Sequence, residues 1–204
     1  MQKPSYKLCA YALLTISLAA AGCSDSHDHD SENEVITTVS LTFTPTAGMP
    51  IVRRFNDADG EGGAPPVIDP ITLPAGAYTL GLTFENRLES PPEDITAEIK
   101  DTADEHQIFF IGTAVSGAAP GQTTGPLEHA YKDTDKNGLP LGLENTITAT
   151  AGMGTLTVVL RHMPPANGKP VKVAMLAETV RASGLMSIGG SSDVEVNFPV
   201  TVTP

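Results

Sequence analysis

Three observations predict an all-β fold, a single antiparallel β-sandwich of immunoglobulin-like type. Apolar and polar residues alternate with period two in several short runs, the pattern of strands with one buried face. Turn clusters separate those runs in a chain that holds 19 glycines and 17 prolines. No internal repeat interrupts the pattern, and residues 35–204 suit one domain with an adequate core.

The chain opens differently. Lys3 and Lys7 form a short positive region, and Leu8 to Leu18 form an apolar core broken by Tyr11, Thr15 and Ser17. That core is too short for a spanning helix, which needs roughly 20 apolar residues. Leu18-Ala19-Ala20-Ala21-Gly22-Cys23 then leads through small residues to a cysteine. The arrangement resembles the bacterial lipobox. It implies a signal peptide over residues 1–22, cleavage before Cys23, and lipidation of Cys23 with diacylglycerol and a further acyl chain such as palmitate. Several acyl chains anchor stably where one alone is marginal. The chain's other cysteine, Cys9, falls in the removed segment, so residues 24–204 carry no thiol. An internal disulfide, a thiolate metal site and a cysteine nucleophile are all excluded there.

Loss of the leader removes two lysines and deepens the formal charge from −12 to −14. Such acidity speaks against nucleic acid, whose phosphates are bound by Lys and Arg. Ser24 to Glu34 has no apolar side chain, so residues 23–34 are expected to be a disordered acidic tether. An acidic run behind a lipidated cysteine resembles the export signal of Bacteroidetes surface lipoproteins. It implies the outer membrane, and further the cell surface. His27 and His29 lie in this run among carboxylates; they are either weak transition-metal ligands or incidental members of a solvated spacer.

Strands are expected at Val39-Leu41-Phe43, Tyr78-Leu80-Leu82-Phe84, Ile108–Ile111, Leu127–Lys132, Asn145–Thr150, Leu156-Val158-Leu160 and Val194-Val196-Phe198-Val200-Val202. Turns fall at Asp57 to Gly63, Ser90-Pro91-Pro92, Ala118 to Gly121 and Asn137-Gly138. Pro91–Glu105 and Lys172–Ser183 are rich in Ala and Glu and could depart from the β pattern; Val171–Ala177 reads as either a strand or a short helix, with a strand preferred over Val171–Leu176. Gly184 to Asp193 reads as a mobile Ser/Gly loop.

Two constellations could carry chemistry. Asp133, Asp135, Asn137, Gly138 and Glu144 have the spacing of an EF-hand calcium loop, in which alternate oxygens face the ion and the last glutamate closes the shell. The flanking strands and Pro140 favour instead a β-hairpin whose turn carries aspartates. Asp57, Asp59 and Glu61 form a second acidic tip of the same ambiguity. His162 ends a strand in register with its apolar face, and His106 opens another strand behind Asp104 and Glu105. His106, His162, Asp104 and Glu105 therefore make a candidate transition-metal set, provided the fold brings the two histidines together. His129, beside Glu128, is expected to be exposed. No G-x-S-x-G elbow, H-E-x-x-H helix or phosphate-binding loop is present, so the chain is not expected to be an enzyme.

The strand Thr37 to Pro45, the loop Asp57-Ala58-Asp59-Gly60 and the segment Ala103 to Gln107 bear a combined likeness, with Thr134 to Leu143, Leu160 to Pro164 and Ser192 to Val200. Together they are similar to a group of small, acidic, uncharacterised lipoproteins of Bacteroidetes and other Gram-negative bacteria. The resemblance implies a membrane-anchored β-domain and includes the Asp-Glu-His and Arg-His segments, but implies no activity. Two functions follow as expectations. One is a binding module that captures a metal ion or metal complex for an outer-membrane transporter. The other is a structural or interaction lipoprotein that contacts an envelope partner and has no small ligand.

Overall fold

The computed structural model describes residues 34–60 and 62–204, so the leader, Cys23, the tether as far as Asn33, and Glu61 lie outside the described residues. Among the described residues ten strands form in chain order. They are β1 (Thr38–Pro45), β2 (Ile51–Asn56), β3 (Val67–Ile68), β4 (Ile71–Pro74), β5 (Gly76–Glu85), β6 (His106–Ile111), β7 (Leu127–Tyr131), β8 (Glu144–Ala149), β9 (Gly152–His162) and β10 (Ser191–Thr203). Every run expected from alternation becomes one of them. Among the described residues the protein is mostly β, and no helix is long and apolar enough to cross a membrane.

Two sheets result. The larger has the order β3-β2-β1-β5-β8-β7 and the smaller the order β4-β10-β9-β6. Period-two burial explains the register. Leu41 of β1 lies opposite Leu82 of β5, and Phe43 opposite Leu80, so their apolar faces coincide. In the smaller sheet Ile108 pairs with Leu160 and Phe110 with Val158. The inward residues of both sheets form one core that holds Phe43, Phe84, Phe110 and Phe198. Pairing is antiparallel throughout except for β4, which runs parallel to β10 with Ile71 opposite Val200. The wholly antiparallel expectation is corrected there, because β4 joins the smaller sheet beside the last strand of the chain.

Two helices interrupt the pattern. Helix α1 (Ile95–Asp101) buries Ile95 and Ile99, and the Thr96 hydroxyl bonds both the N–H and the carbonyl of Phe84, tying α1 to β5. Helix α2 (Leu176–Ser183) lays Leu176 and Val180 on Phe109, Val159 and Met163, covering the outer face of the smaller sheet. The strand expected at Val171–Leu176 is therefore absent. The Lys172 ammonium is buried, 2.9 Å from the Asp135 carboxylate, and donates to the Ala103 carbonyl at 2.8 Å. This anchor fixes the segment across the fold, and Met175 at φ 65° turns the chain into α2. Beyond α2, the stretch expected as loop contains a 3-10 turn at Leu185–Ser187, and its last three residues begin β10.

Candidate functional site

At one end of the smaller sheet, His106 at the start of β6 stands directly opposite His162 at the end of β9. Both continue the inward-facing rows of their strands, so the imidazoles occupy the rim of the core. Directly paired residues bring their side chains within contact range. The rings stack with centroids 4.6 Å apart and planes 5° from parallel. The proximity that sequence could only pose as a condition is thus met by strand register.

Each histidine faces a carboxylate. His162 Nε2 lies 3.8 Å from Glu105 Oε2, at a partly exposed position. His106 Nε2 lies 3.9 Å from Asp193 Oδ2, where both side chains are almost fully buried. Asp104 instead pairs with Lys136 at 2.9 Å, so the acid facing His106 comes from near the far end of the chain. The sequence reading leaves Asp193 at the end of the Gly184 to Asp193 loop, outside the strand that begins at Val194. A β-bulge at this point sets Ser192 opposite Arg161 and Val194 opposite Leu160, leaving Asp193 as the extra residue. Bulges re-aim side chains in this way. Arg161 holds the bulge from the outer face by donating to the Gly189 carbonyl and the Ser192 hydroxyl. The only sequence signal was the Gly-Gly-Ser-Ser run ahead of Asp193.

Hydrogen bonding assigns the proton on His106. The Thr102 hydroxyl donates to the Glu98 carbonyl at 2.7 Å, so its hydrogen is spent. His106 Nδ1, 3.1 Å from both the Thr102 carbonyl and the Thr102 hydroxyl, must then be the donor. Neutral His106 consequently turns an unprotonated Nε2 toward Asp193. That nitrogen has no hydrogen-bond partner, and the Asp193 oxygens have at most a backbone contact from Glu34. The unprotonated Nε2 thus faces the Asp193 carboxyl in a buried setting.

The electrostatics follow. Burial lowers the His106 pKa to about 4, which the bond to the Thr102 carbonyl only partly offsets and the neighbouring His162 and Lys172 reinforce. Burial likewise raises the Asp193 carboxyl to about 7; the Glu34 carboxylate adds to the rise, while the Glu34 backbone and Arg161 oppose it. A carboxylate in such a place wants a proton or a cation.

The site is poised rather than assembled. Among the described residues no three His, Cys, Asp or Glu side chains stand close enough to form a ready ligand set. With metal–donor bonds of about 2.0–2.2 Å, two ligands of a tetrahedral ion sit about 3.3–3.6 Å apart, so His106 and Asp193 need to close by about half an ångström. Parallel rings also keep their lone pairs from converging on one point. His162 would have to rotate, and it is the less buried ring, with an Nδ1 that has no partner.

The calcium-like loop lies elsewhere, between β7 and β8. Asp133 accepts the N–H groups of Gly142, Leu143 and Glu144, and Asp135 accepts those of Asn137 and Leu139. Asp135 also pairs with buried Lys172, and Glu144 pairs with Lys132 at the surface. Gly138, at φ 77°, closes the turn by donating to the Asp135 carbonyl. Backbone amides and an ammonium group thus occupy the carboxylates that the spacing offered to an ion. This is the arrangement of a hairpin turn.

His129 is a further correction, since it is buried rather than exposed. It stacks on Phe110 at 4.2 Å, and its Nε2 bonds the Asn145 side-chain oxygen at 2.9 Å. Desolvation holds its pKa down at about 4. Its place on β7 turns it inward, which its acidic sequence neighbour concealed.

Comparison with protein-family models, with curated proteins and with solved structures yields no match to this chain.

Proposed function

We propose that this domain is a binding module of the cell envelope that captures a divalent transition-metal ion between the two β6–β9 histidines and their flanking carboxylates. We read its two sheets as a β-sandwich carried behind a lipidated Cys23 at the outer membrane. His106 and Asp193 would form the inner half of the ligand set and His162 and Glu105 the outer half. The observation that carries this reading is the buried approach of His106 Nε2 to Asp193 Oδ2 at 3.9 Å, too long for a hydrogen bond between them. An ion placed there would satisfy both groups at once. The backbone carbonyl of Thr102 on the opposite ring nitrogen is the kind of support that fixes a metal-ligating tautomer. Neutral imidazole with carboxylate oxygen suits zinc, copper(II) or nickel. A half-assembled site that must close on its ion suits capture and release, such as transfer to an outer-membrane transporter.

Calorimetric titration of the full chain in detergent with zinc tests the proposal. The expected result is one ion per chain, with binding weakened at least about tenfold, or roughly 1.4 kcal/mol, in His106→Ala and in Asp193→Asn. Asp104→Ala, whose carboxylate is committed to Lys136, should bind as the wild type does. Absence of uptake of zinc, copper and nickel by the folded wild type would refute capture and leave the interaction lipoprotein as the better reading.

A further inference from the structure

The histidine pair is short of ligands on its solvent side, and the stretch of chain that carries two more imidazoles enters the domain beside it. Among the described residues no three His, Cys, Asp or Glu side chains stand close enough to hold an ion. His106 and His162 are stacked 5° from parallel, so their lone pairs do not converge. The His162 and Glu105 side chains are 15% and 29% exposed, which lets water compete for that side of a bound ion.

Glu34, the first described residue, marks where the preceding segment departs. Its backbone reaches the Asp193 carboxyl, and its own carboxyl group bonds that of Glu98. The Glu98 carbonyl accepts the Thr102 hydroxyl, and the Thr102 carbonyl accepts His106 Nδ1–H. The chain therefore enters the domain against the acid that faces His106 and beside the turn that orients its ring. His29 and His27 precede Glu34 by five and seven residues, in the run His27-Asp28-His29-Asp30. Five residues span up to about 17 Å, whereas Asp193, which Glu34 touches, is only 3.9 Å from His106. Residues two apart share one side of an extended chain, so both imidazoles can address a single ion. Charge makes the approach depend on that ion. Ser24 to Glu34 contains five acids and no Lys or Arg, so Glu105 and Asp193 repel it until a divalent cation lies between.

We propose that His29 and His27 donate imidazole, from the solvent side, to a transition-metal ion held at the His106–His162 pair, so that the site is built from both the β-domain and the segment that precedes it. The inference rests on the capture reading and adds the ligands that replace water on the open side of the ion. A donor on the same chain, a few residues from the site, acts at a high effective concentration, so imidazoles that are weak ligands by themselves still strengthen retention.

Zinc is the probe, titrated into the full chain in detergent against a competing chelator. His27→Ala/His29→Ala should still take one ion per chain, bound at least about tenfold more weakly, the loss expected when a tethered ligand is removed. Asp28→Asn/Asp30→Asn thins the charge of the same segment but keeps both imidazoles, and should bind within about threefold of the wild type because exposed charges are screened. Copper(II) gives an independent readout, since its electron paramagnetic resonance spectrum reports coupled imidazole nitrogens, whose number should fall in His27→Ala/His29→Ala. Wild-type affinity in that variant, alongside weakened binding in His106→Ala, would overturn the inference and leave capture standing. Two ions in the wild type, one lost with His27 and His29 and the other with His106, would also overturn it by making the segment a separate chelator. Absence of zinc uptake by the wild type is failure of the capture reading itself, and the inference falls with it.

Discussion

Asp193→Asn should make the metal-free protein more stable at pH 8 while weakening its hold on zinc. The Asp193 carboxyl is raised from 3.8 to about 7, mainly by burial and further by Glu34. An acid with a higher pKa folded than unfolded binds more protons in the folded state. Its contribution therefore makes stability fall as pH rises from about 4 to about 7 and stay level above that. At about 1.36 kcal/mol per unit, the penalty at pH 8 reaches roughly 4 kcal/mol, and local relaxation reduces it to about 2–4 kcal/mol. Asparagine removes the charge, nearly keeps the shape, and can donate to His106 Nε2. For a domain of this size the gain corresponds to about 5–15 °C in melting temperature. Calorimetric melts of both proteins from pH 4 to pH 8 should show the difference opening with pH and closing near pH 4. His129 destabilises the fold on the acid side in both proteins and cancels in the comparison. A pH-independent difference, or a variant less stable at pH 8, would refute the reasoning that Asp193 is buried and uncompensated.

Two further outcomes follow from the packing. Lys172→Met leaves the buried Asp135 carboxylate without its cation and should cost about 3–5 kcal/mol in chemical denaturation, with much of the loss recovered by Lys172→Met/Asp135→Asn; equal instability of the single and double variants would show that the ion pair is not the cause. His129 is held neutral, with its pKa lowered to about 4, so its contribution is present above pH 6.5 and is lost as pH falls toward 4. His129→Gln, which cannot charge yet retains an N–H for Asn145, should move the acid-unfolding midpoint to lower pH, whereas an unmoved midpoint would contradict that assignment.

Sequence pattern located seven strands, since burial of one face imposes period two on a strand that borders a core, but left β2, β3 and β4 unmarked. Val39, Leu41 and Phe43 and the run from Val194 to Val202 were legible for that reason. The same logic placed His106 and His162 at strand ends on the apolar face. Whether they met depended on the β6–β9 register, which pairs residues 56 positions apart and leaves no local trace. Three features were hidden for related reasons. Val171–Leu176 has strand-like composition, yet a buried ion pair to a distant loop and a left-handed residue at Met175 turn it into the approach to a helix. His129 has an acidic sequence neighbour but an aromatic one in space. Asp193 breaks the period that would have exposed it, through a bulge defined only against its partner strand. Sequence thus determined most of the strands, the absence of cysteine from residues 24–204 and the histidines, because these follow from side-chain type and local period. Tertiary structure decided which acid faces which histidine and which carboxylates are already spent, because those depend on contacts between residues far apart along the chain.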